Sequence, residues 1–435
     1  MKNRGKILIS AVAFSLCLPL AHAQKNVMSL QECIDYAMEH NVTLLKARST
    51  SKLQDVTVEE RKAAWLPSLN ASISQGLDWH PFADDNKVTQ NGTYGVNANW
   101  TAWDGNQRKM NILNAEIDAK RSRLNAKSLE NSFIEQIMQR YVQILYMKEA
   151  LKVNQQQLEH DSIVLSRAET FKKVGQMSEA DVAQFRSQMA TGKYEVVNAQ
   201  TNIDLNIMEL KQLLDYPTAA AFDVISVDRT DRKAMRAIPA KNAVYQQALA
   251  HRPEIEDANV AIEQSRLSTK LAKAARLPNI GLSGGLNDSH NTGAVNNWGK
   301  QMKSNFNANL GVTVSYPIFD NRKVKSAIER AKINETIAEL DYDDTCSELY
   351  KTIDKYWQNA YNCQQKYIAS KAAVEYQETC NTLLNEQFRL GLKNISELLK
   401  SRDNLLDARQ TMLQDKYTAI LYRELLEFYA KGKKH

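Results

Sequence analysis

The strongest constraint on the fold is that the chain repeats itself. Four pairs of similar segments occur in the same order in the two halves, 211 residues apart for the first two pairs and 216 residues apart for the last two. A repeated order of this kind indicates that one supersecondary unit occurs twice and packs against its own copy. The pairs are 33–44 with 244–255, 63–69 with 274–280, 103–106 with 319–322, and 175–182 with 391–398.

The first 23 residues precede the repeat and have the pattern of a secretory signal. Three basic residues come before an apolar run over 7–20, and Ala-His-Ala at 21–23 supplies a small-x-small cleavage site. We therefore expect an exported chain that starts at Gln24. Removal of the signal takes away three basic residues and no acidic ones, so the formal net charge falls from +6 to about +3. This near-neutral balance gives no indication of a nucleic-acid partner.

Each half reads as a helix, two strands, a very long helix, a turn and a shorter helix. The first repeat is predicted over 24–216, with helix 29–64, strands 67–79 and 93–103, long helix 105–171 and helix 178–215. An equatorial linker is predicted over 217–240. The second repeat is predicted over 241–435, with helix 241–275, strands 278–286 and 305–319, long helix 321–388 and helix 394–431. At 1.5 Å per residue each long helix spans about 100 Å.

Four predicted strands alternate between apolar and polar residues. The pattern is clear over 69–79 and 94–102, and it returns in the second half over 280–286 and 306–318. A strand with one apolar and one polar face suits a boundary between lipid and water. Runs of about 9–13 residues have the length of a tilted strand that crosses a bilayer. A soluble β-sandwich is the alternative, although two separated hairpins make a poor one.

The helices carry a different period. Apolar or small residues recur at alternating steps of three and four over 182–213, 342–374 and 398–429. A mean period of 3.5 residues winds helices into left-handed supercoils. Small residues on these seams favour close packing of helices whose remaining surface is wet, as in the wall of a water-filled tube. A solid antiparallel coiled coil is the alternative.

Motifs that carry chemistry are missing from the sequence. The histidines form no H-E-x-x-H pair, and neither a P-loop nor a nucleophile elbow occurs. The glycine-rich GLSGGL at 281–286 lies in a predicted strand and lacks the Lys and Ser or Thr of a phosphate-binding loop. We therefore expect no enzymatic activity, no cofactor and no metal site.

Taken together, the chain resembles the TolC-type outer-membrane efflux proteins, also called outer-membrane factors. The resemblance covers 28–431 and is carried by the signal, the doubled plan, the Leu-Pro strand starts at 66–67 and 277–278, HRPEI at 251–255, and the two glycine turns. It implies a mainly α fold with a membrane β-barrel part. A homotrimer would join a twelve-stranded β-barrel, which leaves no unpaired strand edge in lipid, to a twelve-helix coiled-coil α-barrel.

The resemblance also implies a place and a role. The protein would lie in the bacterial outer membrane, in contact with its lipid, with a long periplasmic extension. It would serve as the exit duct of a tripartite efflux or type I secretion system. A periplasmic adaptor (membrane fusion) protein would link it to an inner-membrane pump of the RND or ABC type. The alternative is a periplasmic coiled-coil scaffold or adhesin without a channel.

The two glycine turns are the predicted adaptor-docking tips, because in the family the corresponding turns form the periplasmic end. Glycine supplies the left-handed backbone that ends one helix, and Ser178 and Asn394 are predicted N-caps of the next. Apolar residues at a solvated tip favour a partner surface. The predicted docking residues are Val174, Gly175, Gln176, Met177 and Ser178 in the first turn, and Leu390, Gly391, Leu392, Lys393 and Asn394 in the second.

The predicted periplasmic aperture lies just inside the second turn. In the family, two acids one helical turn apart form rings there; Glu397 occupies the first of these positions and Lys400 the second. An acid and a lysine three residues apart can pair on one helix. We therefore expect a constriction lined by Glu397 and Lys400, with a weaker charge preference than two acidic rings give.

Overall fold

The computed structural model describes residues 26–82, 88–225, 231–294 and 296–431. The expected signal peptide at 1–23 lies outside the described residues. Among the described residues, no helix combines the length and the apolar character that crossing a membrane requires.

Helices dominate both halves. The first half contains β1 (Asn26–Met28), α1 (Leu30–His40), α2 (Val42–Ala63), β2 (Ser68–Trp79), β3 (Val88–Trp103), α3 (Gln107–Lys173) and α4 (Glu179–Leu214). Two short elements follow, β4 (Phe222–Val224) and α5 (Asp231–Ala234). The second half contains α6 (Lys241–His251), α7 (Pro253–Ala274), β5 (Asn279–Asn291), α8 (Trp298–Ser304), β6 (Asn307–Ser315), α9 (Lys323–Arg389) and α10 (Ile395–Lys431). The long helices α3 and α9 have 67 residues each.

The first helix predicted in each half is two helices in the structure. The helix expected over 29–64 breaks at Asn41, whose extended backbone ends α1 and whose side chain accepts a hydrogen bond from the Leu44 amide at 3.1 Å. The helix expected over 241–275 breaks at Arg252, where Pro253 starts the next helix. A residue before proline is driven to extended backbone, while proline itself suits the first helical position.

Three strand boundaries differ from the prediction by at least four residues. The strand expected over 93–103 already begins at Val88, and the one expected over 278–286 continues to Asn291. The strand expected over 305–319 ends at Ser315, two residues before Pro317, which has no amide hydrogen for a ladder. The short helix α8 lies between β5 and β6 and had not been predicted.

The two hairpins join into one antiparallel sheet with strand order β2-β3-β5-β6. Directly opposed residues share a face of such a sheet, and the register opposes Leu69 to Ala98 and Leu286 to both Val96 and Ala308. This apolar face is largely exposed in the single chain. The opposite face carries mainly Asn, Ser, Thr and Gly. The described chain leaves β2 and β6 as edges of the sheet.

The largest hydrophobic core lies level with the midpoints of α3 and α9, and we call it the equatorial core. Sequence reasoning missed the strand pair beside it: β1 runs parallel to β4, which ties the start of the described chain to the linker. Tyr141, buried on α3, donates a hydrogen bond to the Ile225 carbonyl at 3.0 Å. The equatorial core includes Cys33, Tyr141, Ile144, Leu210, Leu214, Val244, Ile353, Leu425 and Leu426.

Candidate functional site

Both glycine turns have the backbone geometry that their sequences predict. Gly175 has φ +76° and Gly391 has φ +74°, a left-handed conformation that residues with a Cβ adopt at a cost. In each turn the residue after the glycine donates its amide to a carbonyl five residues earlier, from Gln176 to Phe171 and from Leu392 to Gln387, both at 2.9 Å. These bonds satisfy carbonyls at the helix end. The two turns therefore end α3 and α9 in the same way.

The next helix starts with a side-chain cap in each turn. At the start of α4, Ser178 accepts a hydrogen bond from the Asp181 amide at 3.1 Å, and Asp181 accepts from the Ser178 amide in return. At the start of α10, Asn394 accepts from the Glu397 amide at 2.9 Å. Caps of this type satisfy amides that have no partner within the helix. The predicted capping roles of Ser178 and Asn394 agree with these contacts.

The structure brings the two turns together, although more than 200 residues separate them in the sequence. Phe185 of α4 meets Phe388 of α9 edge to face, with ring centroids 6.2 Å apart. A small buried group, which we call the tip cluster, draws on three helices around this contact. The tip cluster consists of Leu165, Ala168, Val182, Phe185, Ile395 and Leu398.

A cavity of about 400 Å³ lies between the turns and is lined by both of them. Phe171, Gln176 and Met177 line it from the first turn, and Gly391 and Lys393 line it from the second. Apolar rings and polar side chains therefore surround one shared depression. Such concave, mixed surfaces are typical of binding sites.

Three of the four aliphatic residues expected to be exposed at the tip are exposed. Val174 is 64% exposed, Leu390 68% and Leu392 70%. Met177 is the exception, because it is half-buried and packs against the tip cluster. Phe171, which sequence reasoning did not single out, is exposed as well. Exposed apolar residues gathered at one end of a long helical body indicate a contact surface.

Charged side chains surround the first turn. Lys172 pairs with Glu179 across the turn, and Arg186 pairs with Glu169 at 3.0 Å. The hydrogen bond from Lys172 holds the pKa of Glu179 below its ordinary value. Since these groups are exposed, the pairs contribute little to stability.

Glu397 and Lys400 both lie exposed on the first turns of α10. The spacing allows these two residues to pair, but among the described residues the ion-pair partner of Glu397 in the single chain is Lys393, with Nζ and Oε2 3.0 Å apart. Lys393 lies one helical turn before Glu397, where its long side chain reaches the carboxylate. Lys400 is exposed to solvent, so the predicted aperture carries one acid paired with a neighbouring lysine and one exposed lysine.

A buried ion pair lies deeper inside the tip, and sequence reasoning missed it. Arg402 of α10 donates to the Asp161 carboxylate of α3 at 2.6 Å, and both residues are buried. Gln157 donates to the same carboxylate oxygen at 2.8 Å, while the second oxygen of Asp161 has no hydrogen-bond partner. Burial raises the pKa of Asp161, and the Arg402 charge opposes that rise. The pair joins the two repeats just above the tip cluster.

Comparison with known proteins identifies the family. The sequence model described as "Outer membrane efflux protein" matches residues 33–215 and again 244–427, one match in each half of the chain. The chain belongs to this family. The two matches also coincide with the doubled plan that the internal repeat predicts.

Individual relatives agree with that assignment. The outer membrane efflux protein BepC of Brucella suis biovar 1 (strain 1330) is 20% identical over 386 residues, which cover 88% of this chain and 81% of BepC. The outer membrane protein TolC of Salmonella enteritidis is 24% identical over 304 residues, covering 67% of this chain and 59% of TolC. A solved structure of CusC superposes with a TM-score of 0.80 at 16% identity, over 93% of this chain and 92% of CusC.

Several sequence predictions are confirmed by these comparisons. The resemblance to TolC-type proteins is correct, and so is the mainly helical, doubled fold with a β part. The protein is an outer-membrane protein of an efflux and export family. Members of this family are channels rather than enzymes.

Proposed function

We propose that three copies of this chain form the exit duct of a tripartite efflux or type I secretion system. The sheet supports this oligomer, because its unpaired edges β2 and β6 must be satisfied inside a membrane. Three four-stranded sheets would close into a barrel of twelve strands, whereas two would leave an interior filled by side chains. In this barrel the Asn- and Ser-rich face lines the channel and the apolar face contacts lipid.

The tip is the proposed docking surface for a periplasmic adaptor protein. One observation carries this proposal: turns that lie far apart in the sequence form a single surface around a shared cavity. The exposed Val174, Leu390 and Leu392 beside that cavity are not required by helix capping. We infer that an apolar ridge of the adaptor contacts them and that the polar residues Gln176 and Lys393 orient it.

The inner-membrane partner is a pump of the RND or ABC type, which delivers substrate through the adaptor. Glu397 and Lys400 form the proposed aperture, close to the tip on α10. The Lys393–Glu397 pair at 3.0 Å partly neutralises the acid, so the aperture has mixed charge. A weak preference between cations and anions follows from that arrangement.

The docking surface can be tested by photo-crosslinking in the native cell. A photoreactive amino acid at position 176, inside the cavity, is expected to crosslink to a membrane fusion protein that mass spectrometry identifies. In the same background, Val174→Ser with Leu390→Ser and Leu392→Ser should lower that crosslink at least tenfold and raise accumulation of a fluorescent efflux dye. Loss of exposed apolar contacts is the physical reason.

Lys173→Ser supplies the matched control, because it changes an exposed polar residue beside Val174. The control should leave crosslinking and dye accumulation unchanged, and all variants should form equal amounts of heat-labile trimer. Docking at the tip is refuted if the triple serine variant crosslinks to the adaptor as well as the unchanged protein does.

A further inference from the structure

A second cavity lies at the opposite end of the molecule from the tip. It has a volume of about 550 Å³ and sits between α8 and the ends of β2, β3 and β5 that are farthest from the helices. Neither the repeat nor the proposed export role accounts for it. Its lining includes Gln75, Gln90, Tyr94, His290, Trp298 and Gln301.

This outer cavity opens on the apolar face of the sheet. The register opposes Gln75 to Gly92, and Gly92 to His290, so all three share one face. Counting by twos along β5 places Leu286 on the same face as His290. The cavity therefore stands at the water-facing end of the surface that contacts lipid in the proposed trimer.

The cavity is held in shape by contacts of its own. The His290 ring stacks on Tyr94 with centroids 5.8 Å apart and meets the Trp298 ring edge to face at 6.5 Å. Gln75 donates to the Tyr94 hydroxyl at 2.6 Å. A Cβ at Gly92 would lie 2.0 Å from the His290 ring, so any larger residue at that position would displace the ring.

Helix α8 is fixed over the cavity by one buried side chain. The Gln301 amide donates to the Asn291 carbonyl at 2.9 Å and accepts from the Asn291 amide at 2.8 Å. This two-way bond sets α8 against the end of β5 and keeps Trp298 beside His290. The aromatic wall therefore exists before any ligand binds.

The lining chemistry indicates an uncharged sugar. The described residues that line the outer cavity combine aromatic rings with neutral amides, and none of them is Asp, Glu, Lys or Arg. A phosphate group would call for arginine or lysine. Sugar hydroxyls both donate and accept hydrogen bonds, as Asn and Gln amides do, and the apolar faces of a pyranose ring suit aromatic side chains.

An apolar groove lies below the outer cavity on the same face. It has a volume of about 380 Å³ and is lined mainly by Leu69, Val96, Gly284, Leu286 and Leu310. Gly284 creates the gap, since a Cβ there would come within 3.6 Å of Leu310. Leu286 precedes His290 by four residues, which is about 13 Å along a strand. A polar headgroup and its acyl chain could therefore occupy both places at once.

We propose that this face binds a membrane glycolipid of the outer leaflet, with its uncharged sugar in the outer cavity and an acyl chain in the groove. The proposal rests on the proposed function only in requiring that the apolar face contact lipid. The other features are observed in the chain itself: His290 stacks on Tyr94 and meets Trp298 edge to face in the outer cavity, and Gly284 leaves a gap in the groove.

The test uses the purified trimer in phosphatidylcholine nanodiscs that contain a few per cent of monoglucosyl diacylglycerol. Native mass spectrometry counts the glycolipid molecules that stay bound. Trp298→Ala should weaken retention about five- to tenfold, because one aromatic wall is lost. Trp79→Ala is the matched control: Trp298 is 59% exposed and Trp79 is 73% exposed at the same end of the sheet, but Trp79 lies outside the cavity. The control should retain glycolipid like the unchanged protein.

Two further experiments test the groove and the sugar-binding cavity separately. Gly284→Leu fills the groove and should also lower glycolipid retention, whereas Gly281→Ala, in open space on the polar face, should not. Methyl glucoside, which has the sugar without the chain, should bind far more weakly than the glycolipid. Equal retention by the unchanged protein and by Trp298→Ala overturns the proposal, and so does equal retention of phosphatidylglycerol. If the trimer conducts ions yet retains no glycolipid, the inference alone fails and the proposed duct stands.

Discussion

The equatorial core and the tip cluster hold the same helices together by very different means. At the equator, aromatic and large aliphatic residues from both halves pack around α3, and the β1–β4 pair closes over them. At the tip, only six buried residues of the tip cluster and one buried ion pair hold the helices together. Because opening free energy follows local burial, the equator should stay fixed under conditions in which the tip rearranges. The proposed duct, which docks an adaptor and opens at its periplasmic end, requires that gradient.

The largest expected effect is a core truncation at the equator. Leu210 is fully buried, and Leu210→Ala should cost about 3–4 kcal/mol of the free energy of unfolding because it leaves a cavity. Leu398→Ala, in the smaller tip cluster, should cost about 2 kcal/mol. Urea unfolding followed by circular dichroism measures both. Amide exchange should speed up throughout the chain for the first variant and mainly within 160–190 and 385–405 for the second. If both variants lose the same free energy of unfolding and show the same exchange pattern, the equatorial core and the tip cluster do not differ in stability.

The next effect isolates the buried ion pair of the tip. Arg402→Met leaves the buried Asp161 carboxylate without its cation and should cost about 3 kcal/mol. Adding Asp161→Leu in the same chain should restore most of that loss, since no buried charge remains. Arg409→Met provides the control: its pair with Glu378 at 2.7 Å is partly exposed and should be worth less than about 1 kcal/mol. If the single and double variants have the same free energy of unfolding, the loss in Arg402→Met does not come from an unpaired buried carboxylate.

A smaller effect is expected at the glycine turns. Gly391→Ala places a Cβ in left-handed backbone with open space around it, so strain alone should cost about 1–2 kcal/mol. Gly76→Ala, in a strand and equally free of neighbours, is the control and should change stability far less. Thermal unfolding of the two variants decides this. If Gly391→Ala leaves the thermal stability unchanged, the turn does not have the left-handed backbone conformation at this position.

The smallest effect is a difference in pH dependence between the two regions. Near the equator, hydrogen bonds from Lys371, Tyr367 and Lys416 depress the pKa of Asp231, so its contribution is present above its ordinary pKa of about 3.9 and is lost as the pH falls below it. Burial raises the pKa of Asp161 at the tip, so its contribution falls as the pH rises from about 3.9 towards the raised value.

Thermal unfolding and amide exchange between about pH 2 and pH 7 measure these opposite trends. Asp231→Asn should weaken the dependence of amide exchange on pH below about pH 4 near the equator. Asp161→Asn should weaken the pH dependence of amide exchange at the tip. Acid-induced loosening of both regions with the same midpoint, unaffected by either substitution, would contradict the assignment.

Much of this contrast could be predicted from the sequence, but not its most specific contacts. The glycine turns, their caps and the strand faces follow from local patterns, and the repeat supplies the order of elements. Asn41 and Arg252 break helices whose apolar period continues across them. The Asp161–Arg402 pair joins residues 241 positions apart, and the Gly92–His290 contact depends on the β3–β5 register. Such contacts form only when the two halves pack, so no local pattern reports them.

The central claim is that the chain forms a channel whose narrow point lies at the tip, and single-channel conductance tests it most directly. The purified trimer in planar lipid bilayers should show a small conductance. Glu397→Ala and Lys400→Ala should change that conductance and its cation–anion preference, whereas Lys371→Ala near the equator should not. A trimer that does not conduct, or one whose conductance and selectivity are the same in all of these variants, would contradict the account.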